Sequence, residues 1–226
     1  MKKKDITNEL RAELLQKSEA FQRLTLEDIT LIVELSGAKD GFYRKGDYIF
    51  REGDRIFGFG IILSGMVQSS KHERNGRVIF KSHHPYELLA DDLVFSGTAL
   101  SPCEFTAMED TWIVWIEIPH SMEVLARRCA NHTKLLHNLI RIMANRNIAL
   151  MQRVQILTQK TMREKLLCYL EQEATKCGEK TFDIPFTRDE LADYLGVDRS
   201  ALSRTISAMK KENIIDSNGK RFTINF

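Results

Sequence analysis

Hydrophobic residues recur along this chain with different spacings, and each spacing predicts a different kind of structure. From residue 6 to residue 35 they follow a helical interval of three to four residues. From residue 38 to residue 118 they occur in short runs separated by glycine-containing turns, which predicts closely spaced β-strands in a sandwich or barrel. Beyond Pro119 the helical interval returns. The pattern therefore predicts a mixed α+β protein with a β-rich part between helical parts.

The turns within the β-rich part are marked by a glycine beside a polar residue. Asn75-Gly76 is the strongest signal, because this dipeptide favours a two-residue hairpin turn. The predicted strands are Phe42-Tyr43, Asp47 to Phe50, Phe59 to Leu63, Met66 to Gln68, Val78 to Phe80 and Thr111 to Ile118.

A long helical segment after residue 130 has apolar residues at alternating steps of four and three, the pattern of a coiled-coil seam. Polar flanking residues such as Asn138 and Arg141 favour pairing with a twin helix, and Asn147 can fix the register of that pair. The pattern predicts a parallel homodimer. It leaves open that these residues pack on the chain's own β-rich part, as we expect for some of them. The seam positions are Leu136, Ile140, Met143, Asn147, Leu150, Val154 and Leu157.

Towards its end the chain predicts two short helices joined by a tight turn. Thr187 and Glu190 have the spacing of a capping box, and Gly196 allows the turn. Asp198 caps the second helix, which has an apolar face and a face of basic and hydroxyl residues suited to guanine edges and phosphates. A solvated amphipathic hairpin without DNA contacts is the alternative.

The segments around this helical pair complete a winged helix. A short extended piece precedes it at Phe182 to Pro185, and a β-hairpin follows around Asn218-Gly219. Lys220 and Arg221 at the hairpin tip can reach backbone phosphates. The predicted DNA contacts are Thr187, Arg199, Ser200, Ser203, Arg204, Lys220 and Arg221.

Composition changes this picture little, because 43% apolar and 28% charged residues are ordinary for a globular protein. The net charge is only +2, but residues 198–211 carry four basic residues and one acidic residue. No run of about 18 apolar residues and no apolar signal core occur, so we expect a cytoplasmic protein without a membrane partner. The four cysteines form no C-x-x-C pair, and we predict no metal site.

The order of these parts resembles the Crp/Fnr family of bacterial transcriptional regulators, which includes the catabolite activator protein. The front half is similar in YRKGDYIFREGD (Tyr43 to Asp54) and GIILSGMVQ (Gly60 to Gln68), and the back half in TRDELADYLGVDRSALSRTISAMKKENII and SNGKRFTI. The resemblance implies an α+β fold with an N-terminal β-roll like a cyclic-nucleotide-binding domain, a long dimerisation helix and a C-terminal winged helix-turn-helix. We expect these parts at residues 1–130, 131–160 and 161–226.

The resemblance also implies a function. It predicts a dimeric, sequence-specific transcriptional regulator that binds double-stranded DNA, responds to a small effector and contacts RNA polymerase if it is an activator. Many relatives have a glutamate at the position of Ser200, where it reads a cytosine amino group. Serine has a shorter reach, so the preferred operator is expected to differ. Arg204 is the expected guanine contact, and Ser203 is expected to contact a phosphate or a base.

The sensor part departs from cyclic-nucleotide-binding relatives. Asp91 stands at the position of their ribose-binding glutamate, Pro102 at that of the phosphate-binding arginine, and Cys103 at that of a hydroxyl residue. Acidic residues without a nearby arginine would repel a phosphate, so we do not expect cyclic AMP as the effector. The effector and any cofactor are unknown. The candidate effector-binding residues are Asp91, Leu93, Cys103 and Met143.

Other sensing mechanisms and functions stay open. The segment around Asp91 can be a purely structural turn, haem can be bound by His72, His83 or His84, and Cys103 can be a redox switch, although we expect Glu104 to raise its pKa. No cysteine cluster of the iron–sulfur type precedes Cys103.

Two further alternatives are a metal-dependent β-barrel enzyme and a nucleotide-binding protein whose helical hairpin contacts other proteins. The enzyme would use His83, His84 and Glu87 as metal ligands. However, adjacent residues of a strand point to opposite faces, so the two imidazoles would not converge on one metal. We therefore predict that the chain is not an enzyme.

Overall fold

The computed structural model describes residues 7–72, 78–98, 100–117 and 125–225, without the side chains of residues 78–80. The chain forms two compact units, of which the first ends at Ala144 and the second begins at Asn145. This boundary lies within a long helix, and the expected three-part division remains a prediction. None of the described helices combines the length and the apolar composition needed to cross a bilayer.

Two helices precede the β-strands of the first unit. Helix α1 (Asn8–Leu15) begins after Thr7, whose side chain accepts a hydrogen bond from the backbone N–H of Leu10. A 3-10 helix (Glu19–Phe21) leads to helix α2 (Leu26–Leu35). Thr25 and Asp28 form a reciprocal capping box at its start.

The described strands of the first unit form two four-stranded antiparallel sheets. Their bounds are β1 (Lys39–Tyr43), β2 (Tyr48–Phe50), β3 (Phe59–Ser64), β4 (Val67–His72), β5 (Val78–His83), β6 (Leu88–Leu89), β7 (Glu104–Ala107) and β8 (Thr111–Ile116). The strand order is β1-β8-β3-β6 in one sheet and β2-β7-β4-β5 in the other. Helix α3 (Asp91–Phe95) follows β6.

The central strands of the first sheet, β8 and β3, are apolar on both faces because both faces are covered. In β8, Trp112 and Val114 pack in a cluster with residues of α1 and α2, whereas Ile113 packs in a second cluster that contains residues of both sheets. In β3, Ile61 and Ile62 alternate in the same way. The second cluster is therefore the interior of the β-roll.

Each predicted strand overlaps an observed one, and Ile118 at the end of the last predicted strand lies outside the described residues. Strands β6 and β7 were not predicted. Both are short, and β7 pairs with β2 and β4, which are distant in sequence. The Asn75-Gly76 turn lies outside the described residues, although β4 and β5 on either side of it pair antiparallel.

The predicted long helix is α4 (His132–Leu157). Leu135, Leu139 and Ile142 are buried in the cluster that contains residues of α1 and α2. Asn138 was expected to be a polar flanking residue but is buried, because its side-chain amide donates hydrogen bonds to the backbone carbonyls of Ala20 and Gln22 at 3.0 and 2.8 Å.

The second unit has the order of elements expected for a winged helix. It contains α5 (Met162–Cys177), β9 (Thr181–Asp183), α6 (Arg188–Leu195), α7 (Arg199–Lys211), β10 (Ile215–Asn218) and β11 (Arg221–Ile224). The three strands form an antiparallel sheet in the order β10-β11-β9. The core combines Leu166 and Leu170 of α5, Leu191 of α6, Leu202 of α7 and Phe222 of β11.

Candidate nucleic-acid interface

The start of α6 is fixed by the capping box predicted from the sequence. The hydroxyl of Thr187 accepts the backbone N–H of Glu190 at 3.3 Å, and the carboxylate of Glu190 accepts the backbone N–H of Thr187 at 2.6 Å. Hydrogen bonds from Thr187 hold the pKa of Glu190 below its ordinary value. The two contacts satisfy two backbone N–H groups at the start of α6.

The turn between α6 and α7 depends on one glycine and one cap. Gly196 has a left-handed backbone with φ of +63°, a conformation that is strained for other residues. Asp198 then accepts the backbone N–H of Ala201 at 2.9 Å, which starts α7. Both features were predicted from the sequence, and together they fix the direction in which α7 leaves α6.

Helix α7 has one buried face and one exposed face. Leu202, Ile206 and Met209 are buried in the core of the second unit. The exposed face presents the four α7 residues that were predicted to contact DNA, and all four are exposed: Arg199, Ser200, Ser203 and Arg204. The core fixes α7, so the positions of these four residues along its outer face are fixed as well.

Arg199, Ser200 and Arg204 have different surroundings within the protein. Arg199 Nε lies 2.6 Å from Asp189 of α6, and Ser200 donates a hydrogen bond to Asp198. The Arg204 guanidinium forms no ion pair or hydrogen bond with the residues that the structure describes. The Arg199–Asp189 pair is exposed on both sides, so it holds Arg199 only weakly.

The wing is the hairpin of β10 and β11, which turns at the predicted Asn218-Gly219. Arg221 and Lys220 at its tip are exposed, and Lys220 donates a hydrogen bond to the backbone carbonyl of Pro185 at 2.7 Å. Helix α7 is also tied to the wing, because Lys210 Nζ lies 3.0 Å from Asp216 and donates a hydrogen bond to the backbone carbonyl of Ser217. The wing thus adds basic groups beside the exposed face of α7.

Arg188 was missed by the sequence reasoning, and it joins α6 to the wing. Its guanidinium lies 4.9 Å from the ring centre of Phe222 and donates a hydrogen bond to Ser217. Burial lowers the pKa of Arg188. The signal in the sequence was an arginine next to the Thr187 cap, but its partners on the wing come about thirty residues later.

The predicted effector-binding residues lie around the β-roll interior. Asp91 is buried at the start of α3, directly after Ala90, which has a left-handed backbone with φ of +61°. Leu93 and Cys103 are half-buried and pack against the interior cluster. Met143 lies half-buried on α4 and is in neither cluster of the first unit. The structure therefore brings Leu93 and Cys103 together and does not place Met143 with them.

The environment of Cys103 differs in detail from the expected one. Burial raises the pKa of the thiol, and the carboxylates of Asp92 and Glu52 raise it further, while Lys71 lowers it. We expected Glu104 to have this effect, but the charges that act on the thiol come from residues at least ten positions earlier in the sequence. A raised thiol pKa lowers the thiolate fraction and with it the reactivity.

The histidines considered for haem have different surroundings. His83 is buried at the end of β5, and its Nε2 lies 3.0 Å from the hydroxyl of Ser69. His84 directly follows β5 and is exposed. His72 is exposed and lies 3.9 Å from Glu104.

The seam predicted on α4 is exposed along most of its length. Ile140 is 63% exposed, Leu150 65%, Val154 58% and Leu157 42%, and Asn147 is also exposed. Leu136 and Met143 are half-buried.

The exposed apolar surface of α4 is wider than the predicted seam. Ile148 and Met151, which the seam pattern did not include, are exposed as well.

Two family models match separate parts of this chain. A cyclic nucleotide-binding domain matches residues 41–128, and a Crp-like helix-turn-helix domain matches residues 164–225. The electron transport regulator A of Shewanella oneidensis is 27% identical over 80% of this chain and 72% of its own length. The chain belongs to the Crp/Fnr family. Another relative is the fumarate and nitrate reduction regulatory protein of Vibrio cholerae, 26% identical over 80% of this chain and 72% of its own length.

Solved structures agree with the Crp/Fnr fold. The catabolite activator protein of Thermus thermophilus has a TM-score of 0.50 and 20% identity, covering 92% of this chain and 94% of that chain. The global regulator CLP of Xanthomonas campestris has a TM-score of 0.53 and 14% identity, covering 86% and 98%. At such identities these two structures support the fold alone. The family matches confirm that this Crp/Fnr protein is a DNA-binding transcriptional regulator and not an enzyme.

Proposed function

We propose that this regulator binds two DNA half-sites as a homodimer, with α7 of each copy in the major groove. The observation that carries the proposal is the division of α7 into two faces. One face is held by Leu202, Ile206 and Met209 in the core. The opposite face presents Ser203 and Arg204 to solvent, at the helix positions from which such recognition helices contact base edges.

Each predicted DNA contact has a proposed role. Arg204 donates two hydrogen bonds to a guanine, because its guanidinium is exposed and forms no ion pair with the described residues. Ser203 contacts a base or a phosphate one turn away from Arg199, which contacts the groove wall. Ser200 contacts a base.

Residues outside α7 are proposed to contact backbone phosphates: Thr187 at the N-terminus of α6, and Lys220 and Arg221 of the wing.

The dimer is supported by the exposed apolar surface of α4. Isolated exposed apolar residues are common, but a row of them at seam spacing on one helix is typical of an interaction surface. A second copy of the same helix supplies a matching row, and a parallel arrangement places the two α7 helices on the same side of the dimer. The two half-sites are then expected to lie about one helical turn of DNA apart, roughly 34 Å.

The sensor is proposed to bind a small effector that is not cyclic AMP, at the edge of the β-roll near Asp91, Leu93 and Cys103. Met143 is left out of this site, because it packs against neither cluster of the first unit. Asp92 and Glu52 act on the Cys103 thiol, against one lysine, Lys71. This local excess of negative charge disfavours a bound phosphate. The apolar residues around Leu93 favour an effector with an apolar part.

Redox sensing is the second candidate, and the names of the relatives, which concern electron transport and nitrate reduction, favour it. The raised pKa of Cys103 opposes a thiol switch at this residue. We also propose a cytoplasmic location, since the protein acts on DNA, and a contact with RNA polymerase if binding activates transcription.

The test is a selection of bound sequences from random double-stranded DNA with the purified protein, together with its mass in native mass spectrometry. We expect an inverted repeat and the mass of a dimer, with any retained effector visible as added mass. Enrichment of no sequence would contradict the DNA-reading proposal, and retained cyclic AMP would contradict the effector proposal.

A further inference from the structure

The hydroxyl of Ser200, in the first turn of α7, donates a hydrogen bond to a neighbouring side chain. Ser200 Oγ lies 2.6 Å from Asp198 Oδ1. An ionised carboxylate can only accept, so Ser200 is the donor. The hydrogen bonds from Ser200 and from the backbone N–H of Ala201 hold the pKa of Asp198 below its ordinary value, which keeps this carboxylate ionised at neutral pH.

This arrangement changes what Ser200 can offer to a base. A free serine hydroxyl can donate or accept, so it suits a donor or an acceptor on the base edge. With its only proton directed to Asp198, the exposed Ser200 oxygen offers lone pairs alone. Asp198 is itself held in place by capping α7 through Ala201 at 2.9 Å. Asp198, which caps α7, therefore also determines that Ser200 can act only as a hydrogen-bond acceptor towards a base.

We propose that Asp198 and Ser200 form a pair that reads an amino group in the major groove, either N4 of cytosine or N6 of adenine. The inference rests on the proposed placement of α7 in that groove. Both amino groups are donors, whereas guanine O6 and N7 and thymine O4 are acceptors and would face the lone pairs of Ser200. Ser200 is the contact residue, and Asp198 is a positioning residue that acts through it.

The pair explains how α7 can read a base without the glutamate that many relatives have at this position. A glutamate combines an acceptor oxygen and a negative charge in one side chain. Here the acceptor is on Ser200 and the charge is on Asp198, so the direction of the hydrogen bond is retained and only the reach is shorter. The reading of an amino group thus does not require a long acidic side chain.

The test uses the operator obtained by selection and copies of it that lack single amino groups. Cytosine is replaced by 2-pyrimidinone and adenine by unsubstituted purine, one position at a time. Affinity is measured by fluorescence anisotropy for the unmodified protein, for Ser200→Ala and for Ser207→Ala. Ser207 is a matched control because it is an exposed serine of the same helix whose hydroxyl donates to the backbone carbonyl of Ser203.

We expect one position at which removal of the amino group lowers the affinity of the unmodified protein and of Ser207→Ala about 3- to 10-fold. The same removal should leave the affinity of Ser200→Ala unchanged. Asp198→Gly keeps most of the capping free energy and frees the serine proton, so the effect of removing the amino group should fall below half. Thermal unfolding followed by circular dichroism establishes that each variant is folded.

Two results would overturn the pair while leaving the proposed function intact. One is a contact between Ser200 and a base carbonyl. It would be seen if replacing guanine by 2-aminopurine, which lacks O6, or thymine by 5-methyl-2-pyrimidinone, which lacks O4, lowered the affinity of the unmodified protein but not that of Ser200→Ala. The other is the absence of any position at which Ser200→Ala removes the effect. A selection that enriches no sequence at all would overturn both this inference and the proposed function, so the two failures are distinguishable.

Discussion

The candidate residues of the two units differ in exposure. All seven predicted DNA contacts of the winged-helix unit are exposed, from Thr187 to Arg221. In the sensor unit Asp91 is buried and Leu93 and Cys103 are half-buried. A large, charged partner such as DNA can be contacted by exposed side chains that take no part in the core. A small effector must be enclosed, so its contacts share their positions with the core itself.

This difference has a consequence for substitutions. Under the proposed function, a change on the exposed face of α7 should alter binding and leave folding intact, because Ser203 and Arg204 take no part in the core. A change at Asp91 or Leu93 alters the β-roll together with any effector site. The sharpest tests of the winged-helix unit are therefore measurements of binding, and those of the sensor unit need a readout of structure as well.

The largest expected effect comes from the exposed surface of α4. Leu150→Lys with Val154→Lys places four like charges in the proposed seam and should prevent pairing. Loss of the second half-site should lower operator affinity at least about 100-fold. Analytical ultracentrifugation and anisotropy measure the two effects. Gln152→Lys, on the exposed side of the helix away from the seam, is the control, and a double variant that remains dimeric would refute the seam.

Arg204 is expected to have the next largest effect. Arg204→Ala should weaken binding to the selected operator by about 1–3 kcal/mol and relax the preference at one base pair, because a bidentate contact to guanine is lost. Arg204→Lys keeps the charge and loses the planar fork, so it should lose the base preference while retaining more of the affinity. An unchanged preference in both variants, measured by repeated selection, would remove Arg204 from its proposed role.

Cys103 tests the enclosed character of the sensor unit. Burial and the charge of Asp92 raise the pKa of its thiol. Its reaction with a disulfide reagent at neutral pH should be at least about tenfold slower than that of the exposed Cys177. Stopped-flow absorbance with variants that retain one cysteine each provides the comparison, and equal rates would show that the interior is open to reagents.

Thr187→Ala should lower the free energy of unfolding of the second unit by about 1 kcal/mol, since the first turn of α6 loses its cap. Thr187→Ser keeps the hydroxyl and should restore most of this loss. Urea unfolding followed by circular dichroism measures both variants. Equal destabilisation by alanine and serine would assign the effect to the lost methyl group instead of the cap.

The smallest effect concerns pH. The folded-state pKa of Glu190 is lowered by its bonds to Thr187, so its contribution is present above its unfolded pKa of about 4.3 and is lost as pH falls through the lower folded value. Glu190→Gln should remove that part of the pH dependence in urea unfolding between neutral and acidic pH. A slope identical to that of the unmodified protein would contradict it.

The accuracy of the sequence-based predictions follows the same division. The capping box at Thr187, the turn at Gly196 and the hairpin at Asn218-Gly219 are set by residues a few positions apart, and all three were predicted. Strand β7 and the charges around Cys103 depend on residues that come together only in the folded first unit. Asn138 was assigned to the surface because its partners, the carbonyls of Ala20 and Gln22, lie more than a hundred residues away.

Helix α4 has a consequence for how the amount of this protein affects its target genes. Leu135, Leu139 and Ile142 are buried within one copy, whereas Leu150 and Val154 are exposed. Under the proposed pairing, while single copies predominate, the number of pairs rises with the square of the protein concentration. A twofold change in the concentration of the chain would then alter operator occupancy more than a twofold change in operator affinity. A promoter near half-occupancy would therefore respond to small changes in the amount of the protein.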